Sequence, residues 1–162
     1  MARWCYGFAA IIVCLDQATK MLAKSYLVTE PIDLLPILAF RLVCNTGAAF
    51  SILEGASGLL IGVGIIFSGY FITQIWRLVP GEFCEACAYT LILAGALGNL
   101  IDRIAIGCVV DFIHFFYIST EYVYSHPIFN LADIAIFLGA AFWIYSMYSN
   151  AKTRQSNSAG VK

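Results

Sequence analysis

The stretch CEACAYTLILAGALGNLIDR, residues 84–103, is apolar almost throughout from Cys84 to Leu100, yet it closes on Asn99, Asp102 and Arg103. A membrane-crossing helix needs roughly 20 mostly apolar residues, so this reads as a span with an acid at its end. A charged side chain in hydrocarbon costs at least about 2.5–3.5 kcal/mol, which makes such an acid a functional hypothesis by default. On a helix Asn99 and Asp102 share a face at i,i+3, whereas the adjacent Asp102 and Arg103 diverge, leaving Arg103 free to snorkel to the interface.

The rest of the chain has the same character. Of 162 residues, 61% are hydrophobic and only 12% charged, about half the usual share in soluble proteins. Mean hydropathy is +0.84. Three further stretches are apolar enough to span: Trp4–Met21, Gly58–Val79 and Phe129–Tyr148. The expectation is a single all-α membrane domain over residues 1–150, with four transmembrane helices and a polar, disordered tail over 151–162. Gly62, Gly64 and Gly69 give the second span a small face suited to close helix contact, and Pro80-Gly81 turns the chain tightly into the third, antiparallel to it. The N-terminus resembles a signal peptide, but Asp16, Thr19 and Lys20 stand where a small-residue cleavage site belongs, so an uncleaved first span is expected. A net charge of -1 gives no footprint for nucleic acid. With both termini in the cytoplasm, Arg3, Arg77, Lys152, Arg154 and Lys162 lie inside, against Lys20, Lys24, Arg41 and Arg103 outside.

Between the first two spans, residues 27–55 hold an alternating run from Ala39 to Cys44 that predicts a strand in a small β-cradle, followed by a turn at Asn45 and Gly47 in NTGAAF. After the third span, residues 104–126 are broken by Asp111 and His114 and read as an interfacial helical segment, with Phe112, Phe115, Phe116 and Tyr117 at headgroup depth. His114 reads as a surface or packing residue, and Glu82 and Glu85 as solvated helix-end charges. The six cysteines include a CxxC at Cys84 and Cys87, but a structural metal site needs a second pair. All six are expected to be buried small hydrophobes, with no disulfide and no metal.

Asp16 and Lys20 in DQATK are spaced i,i+4 as a helix ion pair, and Asn130 and Asp133 in FNLAD share a face at the start of the fourth span. Antiparallel spans would bring Asp16, Lys20, Asn99, Asp102, Asp111, Asn130 and Asp133 to one membrane surface. Two carboxylates in one site hold a single proton between them, giving an acid and a base that can activate water against a peptide carbonyl. The same polar groups could instead serve a small proton-coupled transporter or channel subunit, or act as helix glue in an assembly subunit. No repeat supports a transporter, and four spans would have to oligomerise.

DQATK, NTGAAF, GNLIDR, VVDF and FNLAD, in this order from Asp16 to Asp133, resemble the lipoprotein signal peptidases, or signal peptidase II. The resemblance implies an aspartic endopeptidase of the bacterial cytoplasmic membrane, sensitive to globomycin. It selects Asp111 and Asp133 as catalytic, and Asp16, Lys20, Asn45, Gly47, Asn99, Asp102, Arg103 and Asn130 as site-shaping. It also implies diacylglyceryl-modified prolipoproteins as substrates, membrane lipids as surroundings, no cofactor and a monomer, with the cradle and site on the extracytoplasmic side.

Overall fold

Each apolar segment becomes a helix in the computed structural model, which describes residues 1–47, 55–119 and 122–159. The helices are α1 (Ala2–Tyr26), α2 (Ser57–Arg77), α3 (Phe83–Ile106) and α4 (Leu131–Ala159), and all four are long and apolar enough to cross a membrane. Helix α3 is the centre of the bundle: half of its apolar window is buried and it packs against the other three. The outer faces expose large apolar side chains such as Ile66, Trp76, Phe137 and Ile144, as lipid contact requires.

Glycines decide where the helices approach closely. A Cβ on Gly95 would collide with the Ala132 carbonyl, so α3 and α4 meet backbone to backbone, and one on Gly98 would sit 2.6 Å from Asp16 Oδ2, so α3 leaves room there for the Asp16 side chain of α1. On α2 the expected small face is used only at Gly64, against Leu100; Gly62 and Gly69 have open space around them. That contact joins the start of α2 to the end of α3, so the pair is antiparallel, connected through Gly81 at φ 104°.

The two segments between helices form one sheet. Its strands β1 (Ile32–Leu35), β2 (Leu38–Asn45), β3 (Val109–Ile118) and β4 (Val123–Ser125) pair antiparallel in chain order. The cradle expected over 27–55 therefore supplies only β1 and β2; the part of it over 48–54 lies outside the described residues. The expected interfacial helix over 104–126 is corrected. Gly107, at φ 79° where glycine has no steric cost, ends α3, and the β-branched and aromatic run from Val109 to Ile118 completes the backbone hydrogen bonds of β2.

Other expectations change with it. Phe112 does not face the headgroups but is buried with Ala23 and Leu27 against Phe40 and Ile113, fastening the sheet to the end of α1. His114 is a packing residue, stacked on Phe116 and bonded through Nε2 to Ser125 Oγ at 2.8 Å. Glu85 is not simply solvated, since it accepts hydrogen bonds from Ser146 and Asn150 of α4. The backbone of 151–159 is not a disordered tail but continues α4. The cysteines are not uniformly buried hydrophobes: Cys44 and Cys108 form a disulfide, Cys14 is exposed, and Cys5 is buried.

Candidate active site

Lys20 anchors the site. Its residue is 1% exposed, and the Nζ lies 2.8 Å from Asp16 Oδ2, 3.0 Å from Asp102 Oδ2 and 3.0 Å from Asn99 Oδ1. The three donors of the ammonium thus meet three acceptors. Two carboxylates against one ammonium leave a buried negative charge, and the start of α4 offsets it: Asp16 Oδ1 accepts from Ala132 N at 2.9 Å, at the positive end of that helix. Asp102 Oδ2 also accepts from Val110 N at 3.0 Å, which fixes β3 to α3 one residue before Asp111.

Asn99 passes this anchor on toward the carboxylates. Its Oδ1 faces Lys20, while its Nδ2 donates to Asp133 Oδ1 at 2.8 Å. Asn130 joins the two acids. Its Nδ2 donates to Asp111 Oδ1 at 2.7 Å, its Oδ1 accepts from Asp133 N at 2.9 Å, and its backbone N donates to Asp133 Oδ2 at 3.1 Å. The last two bonds form a reciprocal capping box that starts α4. From the sheet, Asn45 Nδ2 donates to the other oxygen of Asp111 at 2.9 Å, and Asn45 Oδ1 holds the following turn through Gly47 N at 3.0 Å. Arg103 is half-buried: its Nη2 donates to Gly47 O at 2.8 Å, and Asp133, Asp111 and Asp102 lie within its electrostatic reach.

All ten sequence-predicted site residues are therefore in one hydrogen-bonded and electrostatic network drawn from α1, β2, α3, β3 and α4. Both oxygens of each carboxylate are held by protein donors, and each oxygen has a further lone pair for water or substrate. Burial pushes Asp111 up to about 6; the Asn45 bond opposes the rise, and the Asp133 charge adds to it. A carboxyl that holds its proton up to about pH 6 beside a second carboxyl can supply acid and base together.

Sequence reasoning missed Gln17, whose Nε2 donates to Asp102 Oδ1 and Gly98 O, each at 3.1 Å. Its signal was its place between Asp16 and Lys20 in DQATK. It also missed the Cys44–Cys108 disulfide beside Asn45.

The family model described as signal peptidase (SPase) II matches residues 8–149. The chain belongs to the signal peptidase II family. Proteins called lipoprotein signal peptidase are similar along nearly all of it. That of Pseudoalteromonas translucida (strain TAC 125) is 38% identical, covering 90% of this chain and 88% of the relative. The Acinetobacter baylyi protein is 39% identical, covering 91% and 83%. A Shewanella baltica protein (strain OS155) is 38% identical, covering 99% and 94%. A solved bacterial membrane enzyme superposes with a TM-score of 0.80 at 29% identity over 92% of this chain and 90% of its own, and a second with 0.75 at 30% over 88% and 91%. As a signal peptidase II the protein is a membrane peptidase, and the network above is its candidate centre. A transporter or channel reading is not favoured.

Proposed function

We propose that Asp111 and Asp133 form the acid–base pair with which this signal peptidase II hydrolyses the signal peptide of prolipoproteins, on the amino side of a diacylglyceryl-modified cysteine. The observation that carries this reading is Asn130, which bonds both carboxylates and so holds them as one unit. One proton is shared by the pair. The ionised carboxylate takes a proton from water as the water oxygen attacks the scissile carbonyl, and the protonated partner donates to the developing oxyanion. Collapse of the tetrahedral intermediate breaks the C–N bond, the cysteine's amine takes a proton, and the pair returns to its starting state.

The remaining residues orient this pair. Lys20, Asp16, Asp102 and Asn99 set the depth of α4 and hence of Asp133, while Asn45, Gly47 and Arg103 set the sheet side, where Asp111 stands. The site lies where α1 and α3 finish and α2 and α4 begin. We assign this end to the extracytoplasmic surface of the bacterial cytoplasmic membrane, with both termini in the cytoplasm, and a monomer as the working unit. The Lys and Arg behind the last span and the sheet's disulfide support that orientation, since disulfides persist on the oxidising side. There a substrate's signal helix lies among the spans, its lipid stays in the bilayer, and its peptide bond reaches water.

The test is Asp111→Asn and Asp133→Asn in the purified protein, reconstituted with a diacylglyceryl prolipoprotein. Each should lower kcat on the order of 10³-fold or more while the substrate still binds. Near-normal cleavage by either variant would refute the pair. Inhibition of the wild type by globomycin is expected alongside.

A further inference from the structure

The far end of β2 is held by a short stretch of pairing with β3 and by single side-chain bonds, Asn45 to Asp111 and Arg103 to the Gly47 carbonyl. A register shift between Phe40 and Val43 interrupts its pairing, and beyond it only Val43, Cys44 and Asn45 pair with Asp111, Val110 and Val109. This short end carries Asn45, the sheet's only side-chain donor to Asp111 among the described residues. One covalent link spans it: Cys44, next to Asn45, is joined to Cys108, which follows the Gly107 terminus of α3, with Cα atoms 5.5 Å apart and 64 positions between them in the chain. The bond therefore ties β2 to the helix that carries Asn99, Asp102 and Arg103. Cys108 is buried, but Cys44 is exposed, so the pair can be reached by redox partners.

We propose that Cys44 and Cys108 are positioning residues of the peptidase: their disulfide holds Asn45 on Asp111, and the enzyme reaches full turnover only after this pair has been oxidised. The inference rests on Asp111 acting as proposed above. The oxidant is a thiol–disulfide oxidoreductase in its disulfide form. One thiolate attacks that disulfide, the second resolves the mixed disulfide, and the pair gives up two electrons and two protons as the oxidant leaves as a dithiol. Such oxidants work outside the cytoplasm, so the requirement also ties activity to delivery of the sheet across the membrane. Reduction frees the end of β2, and the Asn45 amide no longer stays on Asp111. Because that hydrogen bond holds the Asp111 pKa down against burial, its loss moves the titration upward. Of the charged groups acting on Asp111 from the other elements, Lys20 of α1 and Asp133 of α4 are not touched by the change, and Arg103 of α3 loses only its hold on the Gly47 carbonyl.

The experiment uses full-length protein in proteoliposomes with a diacylglyceryl prolipoprotein peptide. It compares wild type as purified, after tris(2-carboxyethyl)phosphine, and after reoxidation by oxidised glutathione with a Cys44→Ala/Cys108→Ala variant. Denatured without reductant, the wild type should alkylate at four of its six cysteines. Reduction should lower kcat on the order of ten-fold with KM little changed, shift the alkaline limb of kcat/KM to higher pH, and be reversed by reoxidation. The double variant should show the reduced behaviour throughout and ignore the reductant. Six alkylated thiols without reductant would overturn the proposal. So would unchanged turnover on reduction, or a loss of active protein with an unmoved limb, which a merely structural cross-link would give. If Asp111→Asn is inactive and reduction changes nothing, this inference alone falls; if Asp111→Asn still cleaves, the reading of the pair falls first.

Discussion

The side chain of Asn130 donates to Asp111 at 2.7 Å, and the same residue caps the helix that carries Asp133. One residue thus sets both the spacing of the carboxylates and the entry of α4. Asn130→Ala removes the bridge and the cap together, and losing a cap alone costs about 1 kcal/mol. We expect a lower melting temperature in detergent and a fall in kcat larger than that destabilisation explains. Asn130→Ser separates the two effects, because its hydroxyl can still accept from Asp133 N as a helix cap but is too short to bridge to Asp111. It should melt close to wild type and cleave poorly; wild-type kcat would show that the bridge does not matter.

Lys20 is the only cation bonded to Asp16 and Asp102 among the described residues, and all three are buried. Lys20→Met strands two carboxylates, and breaking a buried pair from one side costs about 3–5 kcal/mol. Thermal unfolding should show a loss of this size. Adding Asp16→Asn should recover part of it, since the neutral amide can still accept from Ala132 N. A double-mutant cycle measures the coupling, and additive losses would mean that the contact carries no energy of its own.

The pH dependence follows from Asp111, whose pKa is pushed up to about 6 by burial. Below that value its proton is held; above it Asp111 ionises and the shared proton is lost. Since kcat/KM reports the free enzyme, its alkaline limb should begin near pH 6. The kcat limb should lie higher, because bound substrate excludes water and favours the neutral carboxyl further. A stability scan should show the same group with a matching sign: a pKa raised in the fold contributes stability below the unfolded value, near 3.8, that is lost as pH rises through about 6. A kcat/KM that stays flat through this range would remove Asp111 from the rate-determining proton balance.

The helices were legible because about twenty apolar residues in a row have one reading, and the polar motifs stood out against that background. Asp16 with Lys20, and Asn99 with Asp102, could be paired from helix spacing alone. Residues 107–118 could not be read, because the first half of β3 is buried on both faces and so lacks the alternation that marks a strand. Its identity comes from pairing with β2 some 70 positions earlier, for example Ala39 with His114. The disulfide was hidden for the same reason: Cys44 and Cys108 become neighbours only through that register. Gln17 looked like a spacer between two charges until α3 was placed opposite it.

Helix approach gives the last expectation. A Cβ at Gly95 would overlap the Ala132 backbone carbonyl, which cannot rotate away, and would meet Ile136 Cγ1 at 2.6 Å. Gly95→Ala must therefore push α4 outward, at a cost of about 1–3 kcal/mol for overpacking. The displacement acts on the N-terminal turn of α4, which holds Asp133 and receives Asp16 through Ala132 N. A misplacement of about 1 Å can cost on the order of 10²-fold in rate, so kcat should fall more steeply than the melting temperature. Gly62→Ala on α2 is the control, because nothing lies within 4 Å of its added Cβ, and its activity should be unchanged. Equal activities for the two variants would show that the depth of α4 does not govern the chemistry, and would return Gly95 to a packing role.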